Sequence, residues 1–382
     1  MNFARTKEEK DRLEQIGKLA VRFSERAAKI DGMGSFPFEN IKNLKESGYT
    51  TWTLGKEFGG KGISLYEFLL YQEKMAEGDG STALAIGWHM GTIMDLSARR
   101  PWKIDVWNEV VERVKKGALI NTAATEPQTG SPTRGGLPQT TAVFENGQWV
   151  INGRKTYTTL SPVLDFILVK AYIPQQKTVG IFLVPKETKG ISIEETWNTI
   201  SMRGTGSHDL LLKDVHLDEK YFVETVDPKN NQSAGWLLHI PACYLGIASA
   251  ARNYALQFSS EYSPNSIEGT ISDLPNIRQL IGQMELDLLQ ARTFMYAIAE
   301  KWDHSESKEE LQTALGAVKH VAVNASIRVV DAAMRIAGSK SLFLDNPLQR
   351  YYRDVRAGLH NPPMDDAVIA MLAQKALDGI RT

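Results

Sequence analysis

Residues 123–131 read AATEPQTGS, and at this stretch the character of the chain changes. Pro127 and Gly130 restrict the backbone of a polar loop here, so that its amides and hydroxyls can face a ligand. Short runs of β-branched and aromatic residues follow, at 142–144, 149–151, 166–169, 179–184 and 210–212. Such runs, separated by turn residues, are typical of strands. They predict a β domain at residues 121–222, and two Asn-Gly pairs, at 146–147 and 152–153, predict tight turns within it.

The segments on either side of this β domain have helical periodicity. Before it, apolar residues recur every three or four positions from Leu13 to Ile30, and Thr6 with Glu9 has the pattern of a capping box. After it, the periodicity predicts long helices at 235–262, 274–303, 308–337 and 364–380. Helices, then strands, then helices is not the alternation of a parallel α/β fold. We predict an α+β fold with an N-terminal helical domain at 1–120, a middle antiparallel β domain and a C-terminal bundle of four-helix type at 233–382.

The composition excludes several classes of function. With 44 basic and 45 acidic residues, the chain has no basic excess that would attract nucleic acid. Cys243 is the single cysteine, so multi-cysteine metal sites are excluded, and the seven histidines lack a metal-ligand spacing. The N-terminus resembles no signal peptide, and no apolar run is long enough to span a membrane. We expect a cytoplasmic protein without a metal site, a nucleic-acid partner or a membrane span.

Two further segments complete a pattern with AATEPQTGS. Residues 152–159 read NGRKTYTT, and residues 202–210 read MRGTGSHDL. In this order, between two helical domains, the three segments resemble those of the acyl-CoA dehydrogenase superfamily, whose members carry TEPxxGS, NGxKxx(I/T)T and (M/L)RGTxS. The resemblance covers nearly the whole chain. It implies a flavin-dependent oxidoreductase whose β domain holds the isoalloxazine ring.

The resemblance also implies roles for four residues of the β domain. Thr125 would contact the pyrimidine edge of the flavin, and Ser131 would lie near the flavin phosphates or the substrate. Tyr157 would lie against the isoalloxazine, and the Thr159 hydroxyl would reach its N5. Hydrogen-bond donors there stabilise the negative charge that accumulates on reduction. The alternative interpretation is that Tyr157 and Thr159 simply alternate along a half-buried strand.

Two departures from the family pattern concern its catalytic base and its grip on FAD. The family uses a glutamate to remove the α-proton of an acyl thioester. That glutamate lies after the last Arg-Asp pair or at the start of the first bundle helix, where this chain reads RDVRAGLHNPP (353–363) and WLLH (236–239). Asp365 and Asp366 align with the base only after a shift. The FAD-gripping RxxFG and QxxGGxG elements fall on 264–268 and 335–341 and are largely lost. The predicted cofactor is FAD, with FMN as the alternative.

The C-terminal segment from Ala337 to His360 is more similar to the two-component flavin monooxygenases built on the same fold. Those enzymes receive reduced flavin from a separate reductase and form a C4a-hydroperoxide. This resemblance implies that His360 and His89 line the oxygen-reacting pocket and that Ser161 donates near C4a. Histidine suits such work because its ordinary pKa lets it exchange a proton near neutral pH. The competing interpretation is a surface histidine or a hydrogen-bonded core histidine.

Three functions therefore remain open on the sequence. The first is an acyl-CoA dehydrogenase-type enzyme that oxidises an acyl-CoA or a similar small molecule by hydride transfer to flavin. The second is a reduced-flavin-dependent monooxygenase, and the third is a flavin-binding relative without catalysis. The resemblance further implies a homotetramer built as a dimer of dimers, with which the alanine-rich helix faces are compatible.

Overall fold

The computed structural model describes residues 3–129, 136–226 and 234–381 of the 382-residue chain. In these ranges the first helices are α1 (Lys7–Met33), α2 (Phe38–Glu46), α3 (Leu65–Gly78), α4 (Gly80–Arg99) and α5 (Ile104–Lys115). The strands are β1 (Ile120–Ala123), β2 (Thr141–Glu145), β3 (Gln148–Thr158), β4 (Phe166–Ile173), β5 (Thr178–Pro185), β6 (Ile191–Glu194), β7 (His208–Asp218) and β8 (Phe222–Thr225). The last helices are α6 (His239–Glu261), α7 (Pro275–His304), α8 (Gln312–Ala337), α9 (Pro347–Arg356) and α10 (Asp365–Arg381). The predicted order of helices, strands and helices is confirmed.

The strands form one sheet in the order β6-β7-β3-β2-β4-β5-β8, with β1 added beside β4. Most neighbouring strands are antiparallel, as expected, and β3 runs along β7 from Gln148 opposite Asp218 to Thr158 opposite His208. The pairs of β4 with β1 and with β2 are parallel. The parallel pair places Ile120 opposite Phe166, so the chain enters the sheet next to its centre.

The two Asn-Gly pairs have different structures. Asn146 and Gly147 both have positive φ, at 51° and 79°, and they join β2 to β3 as the predicted tight turn. Asn152 and Gly153 instead lie inside β3, where the register with β7 shifts. The predicted turn there is wrong, because a Cβ at Gly153 would stand 2.3 Å from Thr140 Oγ1 and glycine is needed for close approach of the chains.

Helices cover both faces of the sheet. Ile167 and Val169 of β4 belong to the main hydrophobic core, which also contains residues of α3, α4, α6 and α8. Phe166 and Leu168 point to the other face and pack in a second core with α5. The main core therefore runs through all three segments of the chain and joins them into one packed unit.

Small residues let the helices of the two helical segments approach closely. A Cβ at Gly246 of α6 would stand 2.2 Å from the Glu73 carbonyl oxygen of α3. Only glycine permits this backbone contact. The predicted C-terminal helices agree with α6, α7, α8 and α10, whereas the ten-residue α9 was missed, because its polar sequence has no long apolar period.

Helix length and hydropathy bear on membrane association. Within the three described ranges, no helix combines the length and the apolar character needed to cross a bilayer.

Candidate functional site

The loop after β1 is attached to the sheet through Thr125 and Glu126. Thr156 of β3 donates its backbone N–H to the Thr125 carbonyl at 2.9 Å. The buried Glu126 carboxylate accepts from Lys155 Nζ at 2.6 Å, from Gln139 N at 2.6 Å and from Thr140 N at 3.0 Å. Residues 125–126 are therefore held against β3 and against the two residues that precede β2.

Glu126 and Lys155 form an ion pair in which both side chains are almost completely buried. Burial lowers the pKa of Lys155, and the hydrogen bond from the ammonium to Glu126 opposes this. Burial raises the pKa of Glu126, but the hydrogen bonds that it accepts prevail and its pKa is lowered. A carboxylate with three donors remains charged, so the pair is ionic.

Tyr157 lies at the irregular end of β3. Its φ is 55°, a left-handed conformation that is strained for an aromatic residue, and its side chain is 62% exposed. Trp197 stands almost perpendicular to it, with ring centroids 6.0 Å apart. Tyr157 and Thr159 are therefore not alternating positions of a regular strand. We call the surface formed by the rings of Tyr157 and Trp197 the aromatic shelf. Trp197 was missed by the sequence reasoning because no motif contains it.

Behind this shelf lies a chain of buried hydroxyl groups. Thr159 Oγ1 is 2.9 Å from Ser207 Oγ, which is 2.8 Å from Thr205 Oγ1. Thr205 Oγ1 donates to the Met202 carbonyl at 3.0 Å. The side chain of Thr159 is thus connected through two further hydroxyls to the loop of the MRGTGS segment.

That loop is the meeting point of the three segments of the chain. Asp354 of α9 accepts a hydrogen bond from Met202 N at 2.7 Å. Arg353, next to it, forms an ion pair at 2.5 Å with Asp31 of α1. Arg203 of the loop donates to the Asp31 carbonyl at 2.7 Å. Both helical domains therefore hold the loop against the sheet.

Asp354 is a buried carboxyl group at this junction. Burial, countered only in part by the hydrogen bond from Met202 N, raises its pKa from 3.8 to about 7. Asp31 and Asp79 nearby raise the pKa further, and Arg350 lowers it. Asp354 therefore carries a proton in the folded protein at pH values where an unfolded chain has lost it.

Substituting Asp354 by asparagine is expected to change the pH dependence of stability. Between pH 4 and 7 the unfolded chain has an ionised Asp354 and the folded chain a protonated one, so wild-type stability falls as the pH rises. Asp354→Asn removes this contribution and keeps an acceptor for Met202 N. Its stability relative to wild type should rise by roughly 3 kcal/mol from pH 4.5 to pH 7.5. Thermal unfolding at a series of pH values measures this, and parallel curves would contradict it.

Two further residues, Ser161 and Ser131, were predicted for the site. Ser161 is buried and donates its hydroxyl proton to the Gly206 carbonyl at 2.9 Å. It lies beside the hydroxyl chain, but its proton is already used. Ser131 lies outside the described residues. The role of each stays a prediction.

His89 is a fully buried histidine of α4 with both ring nitrogens engaged. Ile120 N donates to its Nδ1 at 3.1 Å, so Nε2 carries the proton and donates to the Thr50 carbonyl at 2.9 Å. Burial lowers the pKa of His89 to about 4. This neutral ring joins α4 to β1, and neither nitrogen is free for a substrate in this arrangement.

His360 has the opposite surroundings. It ends the 3-10 turn Ala357–His360, six residues after Asp354, and its side chain is exposed. In the part of the chain that the structure describes, it makes no hydrogen bond or ion pair. Its imidazole is therefore free to bind a ligand or exchange a proton. The hydrogen bond between Asp354 and Met202 connects its segment to the loop of the hydroxyl chain.

Of the two aspartates that follow the 353–363 segment, Asp365 is engaged elsewhere and, in the described ranges, Asp366 is not. Asp365 accepts from Asn324 at 2.9 Å and from Lys319 at 3.4 Å, and it lies 3.2 Å from His320 Nδ1. It serves to attach α10 to α8. Asp366, beside it, is exposed.

At the start of α6, aromatic side chains occupy the other expected base position. Trp236 and His239 lie against α4, where a Cβ at Gly91 would stand 2.1 Å from the Trp236 ring and a Cβ at Gly87 2.3 Å from His239 Nδ1. Both nitrogens of His239 are buried without a partner, and burial lowers its pKa to about 3. Sequence reasoning missed this cluster, although two glycines four residues apart on one helix could have indicated a close contact.

The chain is similar to known proteins along nearly its whole length. The chain matches family models described as the acyl-CoA dehydrogenase N-terminal domain at residues 6–99, middle domain at 121–215 and C-terminal domain at 238–361. It is 53% identical over 377 residues to YdbM of Bacillus subtilis (strain 168), a protein named provisionally as an acyl-CoA dehydrogenase. That alignment covers 98% of this chain and 99% of YdbM.

Two solved structures have the same fold. Butyryl-CoA dehydrogenase from Megasphaera elsdenii superposes with a TM-score of 0.86 at 20% identity, covering 99% of this chain and 100% of that one. KijD3 in complex with FMN and a dTDP-linked amino sugar superposes with a TM-score of 0.84 at 21% identity, covering 98% and 94%.

Proposed function

This chain belongs to the acyl-CoA dehydrogenase family and is a flavin-dependent oxidoreductase, and on that premise we propose that it oxygenates a small molecule with reduced flavin and O₂. The proposal rests on one observation: within the described residues, neither expected position of the catalytic base has a free carboxylate. Dehydrogenation of an acyl thioester needs a carboxylate that is free to take the α-proton. Trp236 and His239 stand at one position, and residues 355–363, VRAGLHNPP, supply no carboxylate at the other.

Two of the nearby carboxyl groups are engaged and do not replace the missing base, whereas the exposed Asp366 aligns with the base position only after a shift. Asp354 is buried and bound to Met202 N, and Asp365 is held by Lys319 and Asn324. Among the described residues of this segment, the His360 side chain is exposed and makes no hydrogen bond or ion pair. An imidazole that can give and take a proton near neutral pH suits oxygen chemistry, in which protons must reach reduced oxygen species.

The residues of the aromatic shelf fit a flavin. Tyr157 offers exposed and Trp197 half-buried aromatic surface for a planar ring, and Thr159, two residues after Tyr157, offers a hydroxyl. The buried hydroxyls of Thr156 and Thr158, on the same strand, have no hydrogen-bond partner. When bound, reduced flavin supplies the two electrons that activate O₂. The chain's own residues would hold the ring, exclude water and exchange protons.

FMN is the flavin that this proposal assigns. The segments that resemble the FAD-gripping elements have lost the family's arginine and paired glycines. The structure instead has a cation–aromatic contact beside them, with Lys340 Nζ 3.9 Å from the centroid of Tyr262 and Phe258 stacked on that ring at 5.1 Å. This contact engages the cation that an adenosine diphosphate would otherwise attract.

An acyl-CoA dehydrogenase acting on a CoA thioester is the second candidate. It is favoured by the 53% identity to YdbM, whose name gives that activity. A flavin-binding relative without catalysis is the third, and the kept aromatic shelf and hydroxyl chain argue against it. Under each candidate we propose a homotetramer arranged as a dimer of dimers, and under the first a separate flavin reductase. Light scattering of the purified protein measures the assembly.

One experiment on the purified protein separates the candidates. The bound flavin is released and treated with phosphodiesterase, which yields AMP from FAD and leaves FMN unchanged. The reconstituted protein is then titrated without oxygen with acyl-CoAs of several chain lengths. We expect FMN and no bleaching of its absorbance, and we expect oxygen incorporation when a reductase, NADH and candidate aromatic or sulfur compounds are supplied. Bleaching by an acyl-CoA would replace the monooxygenase with the second candidate.

A further inference from the structure

The buried hydroxyl groups of Thr159, Ser207 and Thr205 form a chain of hydrogen bonds that all donate in the same direction. Thr205 Oγ1 has one proton, and the Met202 carbonyl, which is only an acceptor, takes it at 3.0 Å. In the 2.8 Å contact between Ser207 and Thr205, the donor must then be Ser207. Its proton is used as well, so Thr159 is the donor in the 2.9 Å contact with Ser207. Thr159 therefore presents lone pairs, and no proton, to any group on its other side.

Reversing the direction of these hydrogen bonds costs little free energy. If Thr205 turns its proton to Ser207, Ser207 can donate to Thr159, and Thr159 can donate outwards. The Met202 carbonyl then loses one donor but keeps Trp197 Nε1 at 3.0 Å and Thr205 N at 3.2 Å. The two directions differ by a single neutral hydrogen bond, a gap that a ligand can overcome.

Water does not compete with these hydrogen bonds, because the three hydroxyl groups are shielded from solvent. Thr205 is 1% exposed, Ser207 5% and Thr159 9%. A buried hydroxyl without a competing water keeps the direction that its protein partners set.

We propose that Thr205 and Ser207 are positioning residues that make the protein prefer reduced over oxidised flavin. The proposal rests on the proposed function, which places Thr159 beside flavin N5. Two-electron reduction of the flavin, with uptake of two protons, leaves a hydrogen on N5, whereas oxidised flavin has a lone pair there. In its resting direction Thr159 can accept from the N5–H of the reduced ring. For Thr159 to donate to N5 of the oxidised ring, all three hydroxyl groups must reverse the direction of their hydrogen bonds.

Such a preference suits an enzyme that takes reduced flavin from a separate reductase. The reduced form binds without reorganising the protein, and the oxidised form, after turnover, binds less well and leaves. The buried hydroxyls would thus set the order of binding and release without touching the substrate.

The test measures dissociation constants of oxidised FMN and of anaerobically reduced FMN for the full-length protein. For wild type we expect tighter binding of the reduced form. Thr205→Val removes the terminal donor while keeping the side-chain shape, and Ser207→Ala interrupts the chain. Each is expected to lower the ratio of the oxidised to the reduced dissociation constant about tenfold, which makes the potential of bound flavin about 30 mV more negative.

The matched control is Thr199→Val, in the same loop. The Thr199 hydroxyl donates to the Ser201 carbonyl and takes no part in the chain. It should leave the ratio unchanged, and thermal unfolding of each flavin-free variant shows whether it folds. A wild-type ratio at or below one overturns the proposal without any variant, and so does an unchanged ratio in a folded Thr205→Val or Ser207→Ala protein. If wild type binds neither form of flavin, the proposed function itself is wrong.

Discussion

Lys155→Met is expected to lower the free energy of unfolding by about 3–5 kcal/mol, because it leaves the buried Glu126 carboxylate without its cation. The backbone N–H groups of Gln139 and Thr140 still donate to that carboxylate, but they cannot neutralise its charge. The loss should be largest near neutral pH, where the carboxylate is ionised. Urea unfolding followed by far-UV circular dichroism at pH 7 measures it.

Two further variants isolate the buried charge as the cause. In the double variant Lys155→Met/Glu126→Gln no charge remains and the acceptor for Thr140 N is kept, so much of the lost stability should return. Lys18→Met breaks the surface pair of Lys18 with Glu14, whose side chains are 74% and 69% exposed, and should have no measurable effect. If Lys155→Met were as harmless as Lys18→Met, the pair would have no structural importance. The same pair holds Thr125 in place, so flavin affinity should fall with stability.

His360→Ala is expected to reduce the rate of product formation at least about 100-fold, the usual effect of removing a proton-exchanging side chain. Flavin affinity should stay within about twofold of wild type, because in the described ranges His360 makes no hydrogen bond or ion pair to the strands proposed to hold the flavin. Single-turnover measurements with reduced flavin and oxygen separate the chemical step from flavin binding.

The control for His360 is a second exposed histidine. His216 lies on β7, at the end of the strand away from His208, and His216→Ala should keep full activity. Turnover of His360→Ala equal to that of His216→Ala would remove His360 from the site. The monooxygenase proposal would then need another proton donor, and the assignment of the flavin to the aromatic shelf would be unaffected.

Much of the fold was predictable because its signals are local. The capping box of Thr6 and Glu9 forms as predicted, with both hydrogen bonds at 3.1 Å. The turn at Asn146 forms because a left-handed conformation is available to it wherever it lies in the chain. The same dipeptide at Asn152 does not form a turn, because its surroundings in the sheet require close approach to Thr140.

The site was less predictable, because its parts come from distant positions. The three motifs correctly indicated the family, and they contain Thr159 and Ser207. They gave no sign of Trp197 beside Tyr157, or of the contact between Asp354 and Met202, which joins residues 152 positions apart. His89 and His360 are the same residue type, but one is buried with both nitrogens bonded and the other is exposed and unpaired.

The sequence by itself determined the order of helices and strands and, through its three motifs, the family, because periodicity, capping and turn preferences act within a few residues. Only the tertiary structure decided which polar groups are free to act. A hydroxyl or an imidazole can donate and accept in many ways, and its partners remove most of them. The hydrogen bonds among Thr159, Ser207 and Thr205 run in a single direction only because the Met202 carbonyl, which can only accept, lies at the end of the row.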